Sequence, residues 1–415
     1  MKRIALILAL AASTSPAFGD DRLVAPFLPP EHLVLEVIAN HPMVTAAEAR
    51  FTESRAEAKL RKVGDHDTLV SASFARRDTR YDGNFTEWDS TISRGIRLPG
   101  KAKLDREIGA LGIEVADNNL DDARHQTALL LKNHWFEWLE AASMEAIDRA
   151  ALATWQQELA AVRRKAEVRE AAMLDIQEIS AALAGAEAEL LASSARLEET
   201  RSALLLMFPN LPLPATAPEL TSPQAVPLDS GYWRDLILSR SHELKAAERE
   251  AARQMTVARR SKQDRLPDPT VGVRLFSERG GEESGVGLVV SMPFGFGRRA
   301  AISDIDRARA LTAEAQSLQV RREIELVADR DVRQAASAFT VWERAAESLG
   351  MAQAVTAKIR RARELGDRSL TDVLRTVRQE QMAARTELLA RARAHDTRTQ
   401  LMIDAHELWI TPHEE

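Results

Sequence analysis

The fold of this chain is decided by the stretch Val289-Val290-Ser291-Met292-Pro293-Phe294-Gly295-Phe296-Gly297-Arg298-Arg299. It reads as an aliphatic strand that ends at a proline, a glycine-containing break, and the basic start of a region from Phe294 to Thr411 that contains no proline. A weaker copy, Ile96-Arg97-Leu98-Pro99-Gly100-Lys101, precedes a second proline-free region from Gly100 to Phe208. Because proline interrupts helix interiors, both regions are predicted to be long helices.

A strand hairpin is predicted before each helical region. Runs in which large apolar side chains tend to alternate with smaller or polar ones flank clusters of turn-forming residues. The strand, turn and strand segments are Leu69–Phe74, Asp78–Asn84 and Trp88–Leu98 in the first hairpin, and Thr270–Ser277, Arg279–Glu283 and Gly285–Met292 in the second. The alternation is imperfect, as is usual for strands of membrane barrels.

The two halves of the chain are copies of one unit. Pro99-Gly100-Lys101 aligns with Phe296-Gly297-Arg298, and Asp175-Ile176 aligns with Asp372-Val373, both at an offset of 197 residues. Upstream, His41 aligns with His242 at an offset of 201 residues. The change from 201 to 197 is therefore placed in and around the hairpins. Each unit is therefore predicted to run helix, hairpin, long helix, break and shorter helix. A single helix of the length predicted from Lys101 onward, on the order of 100 Å, has no place in a compact domain.

The predicted boundaries follow from this duplication. Each unit opens with one helix, predicted from about Glu31 to Val63 and from about Tyr232 to Gln263. The segments are a signal peptide over 1–19, an N-terminal leader over 20–30, the first unit over 31–208, a proline-rich linker over 209–231, the second unit over 232–409 and a C-terminal tail over 410–415. The signal peptide is inferred from the basic start, the short apolar run and the small residues before Asp20.

Composition excludes several classes of protein. After the signal sequence, no apolar run approaches the roughly 20 residues that a membrane-spanning helix needs. The chain has a formal net charge of −6, 28% charged residues and no cysteine. We therefore expect no nucleic-acid partner, no disulfide framework and no lipid anchor. The mature protein is expected to be periplasmic, secreted or inserted in the outer membrane as strands.

Two motifs, each present twice, carry a resemblance to a known family. They are the strand-to-helix junction quoted above and the segment Arg363-Glu364-Leu365-Gly366-Asp367-Arg368-Ser369-Leu370-Thr371-Asp372-Val373-Leu374. With both motifs the chain resembles the TolC-type outer-membrane efflux proteins over nearly the whole mature sequence. The resemblance implies a mainly α protomer with β strands: long antiparallel coiled-coil helices, plus four strands that complete a twelve-stranded outer-membrane β-barrel in a homotrimer, above a periplasmic α-helical barrel.

The function implied by this resemblance is that of an exit duct. Such a homotrimer lies in the lipid of the outer membrane of a Gram-negative bacterium, extends into the periplasm, and conducts what an inner-membrane pump expels through a periplasmic adaptor protein. The strand-to-helix junctions, at Pro99, Gly100, Gly295 and Gly297, look similar to those of branches served by resistance-nodulation-division pumps for metals or drugs. A type I secretion duct has the same architecture. A soluble periplasmic coiled-coil adaptor or scaffold would explain the helices but not the hairpins.

A gate is predicted from two equivalent acids, Asp175 and Asp372. The family places these positions at the narrow periplasmic end of the tunnel, where a trimer would form rings of three carboxylates that resist closure. The alternative is that each Asp simply caps its helix. In the best-known family member a second acid follows one turn after the position of Asp372, whereas this chain has Arg375. An intersubunit pair between Asp372 and Arg375 is therefore an alternative latch.

The tip between the helices of the second unit is predicted to dock the adaptor protein. The resemblance assigns this contact to the turn residues Gly366, Asp367, Arg368, Ser369 and Leu370. Gly366 is suited to the positive φ that ends a helix, and the first-unit copy of this tip lacks the glycine. The alternative is an ordinary solvated connection between two helices.

No catalytic residue, cofactor or metal ligand is predicted. None of the nine histidines lies three or four residues from another, and without cysteine no zinc-like spacing exists. Surface or packing roles are expected for them. Gly295-Phe296-Gly297 follows a strand as a dinucleotide loop would, but no parallel βαβ unit surrounds it.

Overall fold

The computed structural model describes residues 25–226 and 229–410, so the predicted signal peptide and the last five residues lie outside the described residues. The first unit comprises α1 (Glu31–Ala39), α2 (Pro42–Val63), β1 (Thr68–Thr79), β2 (Gly83–Gly95), α3 (Lys101–Glu167) and α4 (Met173–Met207). The second comprises α5 (Ser230–Arg240), α6 (His242–Gln263), β3 (Thr270–Glu278), β4 (Glu283–Ser291), α7 (Phe296–Glu364) and α8 (Leu370–Asp404). The same six elements occur twice in the same order, which agrees with the duplication read from the sequence.

The single opening helix predicted for each unit is wrong, because the structure divides it into two. In the first unit α1 ends at Ala39 and α2 begins at Pro42, where proline is well tolerated because the first helical N–H needs no partner. His41 caps α2 by accepting a hydrogen bond from the Met43 N–H at 3.3 Å. In the second unit Ser241, not His242, caps α6. The structure thus matches His41 with Ser241 as helix caps. This match is one residue away from the sequence alignment of His41 with His242.

The proline-rich linker packs against the helices instead of standing free. Leu211 and Leu220 are buried in the main core. The backbone carbonyls of Leu220 and Thr221 accept hydrogen bonds from Arg391 and His395 of α8, at 3.1 and 2.8 Å. Helix α5 begins at Ser230, so the last residues assigned to the linker are helical.

The four strands form one antiparallel sheet in the order β1-β2-β3-β4. The two hairpins are joined through β2 and β3, with Ile92 opposite Val273. Helix α3 has 67 residues and α7 has 69, so each extends on the order of 100 Å away from the sheet. Consequently the strands lie at one end of the molecule and the helix tips at the other.

Helix packing divides into two apolar clusters along this length. The larger lies where α3, α8 and the linker meet, and contains Trp135 and Trp138, whose rings pack edge to face at 5.1 Å. The smaller lies near the tips and includes Trp155 and Val162 of α3 and Leu370 and Val373 of α8. Among the described residues, no helix is both long enough and apolar enough to cross a membrane.

Candidate functional site

One face of the sheet is apolar and open to its surroundings. Val70, Ile92, Val273 and Leu288 are directly opposite one another across the four strands. Val70 is 64% exposed and Leu288 is 73% exposed. A continuous row of aliphatic side chains left open in this way is the feature that a water-soluble protein avoids and a lipid-facing sheet requires.

The opposite face of the sheet carries charge. Asp89 of β2 forms an ion pair with Arg274 of β3. Nearer the turn, Arg77 of β1 contacts Glu87 of β2 at 3.0 Å and lies 3.9 Å from Glu278 of β3. The sheet is therefore apolar on one side and polar on the other, which matches a wall between lipid and water.

The sheet has two open edges within the part of the chain that is described. Strand β1 pairs with β2 and β4 pairs with β3, and the outer sides of β1 and β4 have no strand beside them. These edges are 12 and 9 residues long, which is too long for the short, blunted edges that isolated sheets use. The outward N–H and C=O groups of these two strands therefore take no part in the hydrogen bonds between the strands described.

A buried ion pair fixes the first strand-to-helix junction. The Lys101 side chain is 2% exposed, and its Nζ lies 2.8 Å from Asp268 and 2.9 Å from Asp264. Asp268 also accepts hydrogen bonds from the Leu98 N–H at 3.0 Å and contacts His66 Nε2 at 3.0 Å. Although partial burial raises the pKa of Asp268, hydrogen bonds from Lys101, Leu98 and His66 outweigh it and hold the pKa below its ordinary value. This cluster ties the start of α3 to the segment that leads into β3.

The junction residues predicted from the sequence take different conformations in the two units. Pro99 precedes Gly100, which caps α3 at a φ of +91°, a value that favours glycine. Gly295 caps α7 at a φ of −152°, which any residue can adopt. Gly297 lies in the first turn of α7, where a side chain would meet open space. A turn with positive φ is thus present in the first junction alone.

The tip of the second unit has the predicted helix ending. Gly366 has a φ of +86°, and the N–H groups of Gly366 and Asp367 bond back to the carbonyls of Arg363 and Ala362 at 3.0 and 2.9 Å. Residues Gly366 to Ser369 are exposed. Leu370, also predicted to contact the adaptor, is instead buried in the apolar cluster near the tips.

The first-unit tip adopts the same turn without glycine. Arg169 occupies the position equivalent to Gly366 and has a φ of +64°. Its N–H and that of Glu170 bond back to Ala166 and Lys165 at 3.0 and 2.8 Å. A non-glycine residue in this region carries backbone strain. The copies have diverged in sequence but not in backbone path.

Asp372 serves as a helix cap in the structure. Its N–H donates to Ser369 Oγ at 3.2 Å, and its carboxylate accepts from Ser369 Oγ at 2.9 Å and from the Ser369 N–H at 3.3 Å. These bonds lower the pKa of Asp372 from its ordinary value. Arg375 contacts the same carboxylate at 2.7 Å within the chain. The pair expected from the sequence was between subunits, whereas the contact in the structure joins Asp372 and Arg375 of one chain.

Asp175 repeats this arrangement in part. Its carboxylate accepts from the Ala172 N–H at 3.2 Å, but alanine has no hydroxyl to complete the reciprocal cap. Both acids lie in the first turns of α4 and α8, beside the apolar cluster that joins α3, α4 and α8. The candidate gate residues therefore share one end of the molecule, far from the strand-to-helix junctions.

The sequence did not predict a polar cluster that lies between α3, α6 and α8. His125 is 6% exposed and donates a hydrogen bond from Nε2 to the Asp404 carboxylate at 2.9 Å. Its Nδ1 lies 3.6 Å from Glu243. The ring of His406 stacks on that of His242 at 4.8 Å, beside a cavity of about 150 Å³. The sequence predicted surface or packing roles for these histidines, and the structure places them in a buried polar network.

Burial and close charges shift the pKa values in this cluster. Burial lowers the pKa of His125, but the hydrogen bond to Asp404 and the nearby Glu243 carboxylate outweigh it and raise that pKa to about 9. Burial raises the pKa of Glu243, but His125 outweighs it and holds that pKa at about 2. Burial, and then the neighbouring Glu243, raise the pKa of Asp122 to about 6. Burial, and then the charge of His125, lower the pKa of His406 to about 3.

The available sequence signal for this cluster was the spacing of Asp122 and His125. These two residues lie three positions apart on one helix, so they share a face. A search confined to pairs of histidines misses such a mixed pair. Glu243 and Asp404 come from helices more than a hundred residues further along the chain, and no local pattern announces that contact.

Comparison with known proteins gives matches in structure and not in sequence. The outer membrane protein VceC of Vibrio cholerae aligns with a TM-score of 0.73 at 17% identity, covering 91% of this chain and 95% of VceC. The CmeC outer membrane channel of Campylobacter jejuni aligns with a TM-score of 0.73 at 14% identity, covering 92% and 86%. The open-state MtrE outer membrane channel of Neisseria gonorrhoeae aligns with a TM-score of 0.71 at 14% identity, covering 93% of this chain and 90% of MtrE. No protein-family model and no curated protein matches the chain.

These likenesses extend over about nine-tenths of the chain. At such low identity they establish the fold. They confirm at that level the resemblance drawn from the two repeated motifs: the chain has the fold of the TolC-type outer-membrane efflux channels.

Proposed function

We propose that this protein is the outer-membrane exit duct of a tripartite efflux system. In this proposal three copies form a passive channel, and substrates reach it from an inner-membrane pump through a periplasmic adaptor protein. The observation that carries the proposal is the four-stranded sheet, which is apolar on one face, charged on the other and open at both edges. The VceC, CmeC and MtrE proteins, which share the fold, support it.

The open edges support assembly from several copies. Unpaired backbone groups are not tolerated in lipid, so β4 of one copy needs β1 of the next. The pairing of β2 with β3 within one chain is the model for this pairing between copies. Strands β2 and β4 hold equivalent places in the two units, and so do β1 and β3. Three copies of a four-stranded sheet give a closed barrel of twelve strands, and the outward row of aliphatic side chains then faces lipid.

The helix tips support the adaptor contact and the gate. The exposed segment Gly366 to Ser369 is held by a defined helix ending, so it offers a rigid surface to a partner. Asp372 and Arg375 lie next to it, and Asp175 lies in the equivalent turn of α4. In the trimer these positions repeat three times around the axis, where the Asp372 carboxylates, each held by Ser369 and Arg375, form the constriction.

Resistance-nodulation-division pumps for metals or drugs remain the partners we propose, on the resemblance of the strand-to-helix junctions. A type I secretion duct is the second candidate, because it has the same architecture. A soluble periplasmic scaffold is disfavoured by the exposed row that contains Val70 and Leu288.

The experiment is complementation of a gene deletion, with sensitivity to metals, dyes and antibiotics as the readout. We expect the deletion to increase sensitivity to one of these classes and the wild-type gene to restore resistance. Val70→Arg should fail to restore it, since a charge facing mid-bilayer lipid costs about 2–4 kcal/mol. Ser71→Arg, its neighbour on the charged face, is the matched control and should complement. Unchanged sensitivity on deletion, together with release of the protein from cells without detergent, would contradict the proposal.

A further inference from the structure

Three potential metal ligands meet where α3 passes the start of α6. Asp122 and His125 are one turn apart on α3, and Glu243 lies in the first turn of α6. One ligand atom from each of these side chains lies within 4.8 Å of the other two. The Gln126 amide nitrogen lies 3.2 Å from an Asp122 oxygen and 3.3 Å from a Glu243 oxygen, so both carboxylates are turned toward one point.

His125 is held as a metal-binding histidine is held. Its Nε2 bonds to Asp404 at 2.9 Å, and a carboxylate on one ring nitrogen fixes the ring orientation and makes the other nitrogen more basic. That other nitrogen, Nδ1, is buried and has no hydrogen-bond partner. Its nearest acceptor is Glu243, at 3.6 Å. A metal ion between Nδ1 and the carboxylates of Asp122 and Glu243 would replace the Nδ1 proton and give this buried nitrogen a bonded partner.

We propose that Asp122, His125 and Glu243 bind one divalent transition-metal ion of the Zn²⁺ class, and that Asp404 positions His125 for it. One imidazole nitrogen with two carboxylates is a donor set that Zn²⁺ accepts, whereas Ca²⁺ and Mg²⁺ prefer oxygen alone. Binding of the ion displaces the proton from His125 Nδ1 to solvent, and the two carboxylate charges then balance the divalent cation. The site lies outside the adaptor tip and the gate, so it is independent of the proposed efflux role.

The geometry needs only a small adjustment. Ligand atoms about 2.1 Å from a tetrahedral zinc ion are roughly 3.4 Å apart. The three ligand atoms now lie within 4.8 Å of one another, so they need to approach by on the order of 1 Å. Rotation of the side chains is enough for this movement. Because Asp122 and His125 come from α3 and Glu243 from α6, the ion would clamp α6 against α3 close to Ser241, where α5 ends and α6 begins.

The test uses the full-length mature protein, purified in detergent and stripped with a chelator. Zn²⁺ is titrated in competition with a chromophoric chelator, and Co²⁺ is used in parallel for its visible absorption. We expect one ion per chain in the wild type. Asp122→Asn and His125→Gln should each weaken binding at least tenfold and remove the Co²⁺ bands.

His134→Gln is the matched control. His134 lies on the same helix, and its Nδ1 is also buried and unpaired, but it has one carboxylate nearby, Glu137 at 3.7 Å. This variant should bind the metal as the wild type does. If His125→Gln does not fold, Asp122→Asn decides, since Asp122 is only half-buried. Absence of saturable binding in the wild type, or unchanged affinity in Asp122→Asn, would overturn the proposal.

Discussion

The strand-to-helix junction offers the sharpest test of the packing, because removal of Asp268 breaks several buried contacts at once. The Asp268→Ala substitution leaves Lys101, whose side chain is 2% exposed, without one of its two carboxylates. It also removes the acceptor of the Leu98 N–H. Removing one partner of a buried pair costs about 3–5 kcal/mol. We expect about 3 kcal/mol, the lower end of that range, because Asp264 still faces Lys101 at 2.9 Å.

The expected shift can be measured as a thermal midpoint. With about 2.1 cal/mol/K of unfolding entropy per residue, a loss of about 3 kcal/mol from a chain of this length lowers the midpoint by roughly 4 °C. Circular dichroism at the helix band, on the purified protein in detergent, measures it. Asp304→Ala is the control, since Asp304 forms an exposed pair with Arg265 at 3.1 Å. Exposed pairs contribute about 0–1 kcal/mol, so its midpoint should move by roughly 1 °C or less.

A double variant separates charge from packing at the same place. Lys101→Met combined with Asp268→Asn removes both charges and keeps an oxygen for the Leu98 N–H. Replacement of both members of a buried pair is often neutral, so this protein should recover most of the lost stability. Equal midpoints for Asp268→Ala and Asp304→Ala, or a double variant less stable than Asp268→Ala, would refute the account of the junction.

Three further outcomes follow from the tips and the junction. Arg169→Gly should raise stability by about 1 kcal/mol, because it removes a side chain from a residue with positive φ. Slower hydrogen exchange at the first tip would show this gain. Gly366→Ala should lower stability and speed hydrogen exchange at the second tip. The pKa of Asp268 is lowered in the folded state, so its contribution is present above its ordinary value of 3.8 and is lost as the pH falls through the folded value. The midpoints of wild type and Asp268→Ala should therefore draw together as the pH falls from about 4 through the folded pKa, and a difference that does not shrink over that range would contradict the assignment. Substitution of Asp372 or Arg375 by Ala should change single-channel conductance in planar bilayers, and unchanged conductance in both single variants and the double variant would remove the gate.

The repeat, the hairpins and the long helices were predictable because they depend on local and periodic features. Proline placement separated helical from other regions, and the motif around Gly366 recurred without glycine at Arg169, at a fixed spacing. The break before Pro42 had a visible signal, since proline favours the first turn of a helix, but the apolar pattern ran across it. The sequence therefore predicted one continuous helix where the structure has α1 and α2.

The contacts of the candidate sites were less predictable, because they join distant parts of the chain. Lys101 meets Asp268, and His125 meets Glu243 and Asp404, across intervals of more than a hundred residues. A single sequence gives no periodic signal for such contacts. Burial of Leu370 was also missed, since the tip motif alone does not show that α3 and α4 pack against α8. The capping alternative for Asp372, in contrast, could be stated beforehand, because a Ser three residues earlier is a local signal.

A three-dimensional reconstruction of the purified protein in lipid nanodiscs tests the central claim most directly. The claim is that copies of the four-stranded sheet close one another's edges into a conduit. We predict three copies around one axis, with β4 of each hydrogen-bonded to β1 of the next and the row from Val70 to Leu288 facing lipid. A single copy with both edges uncovered, or an assembly in which that row faces the interior, would contradict it.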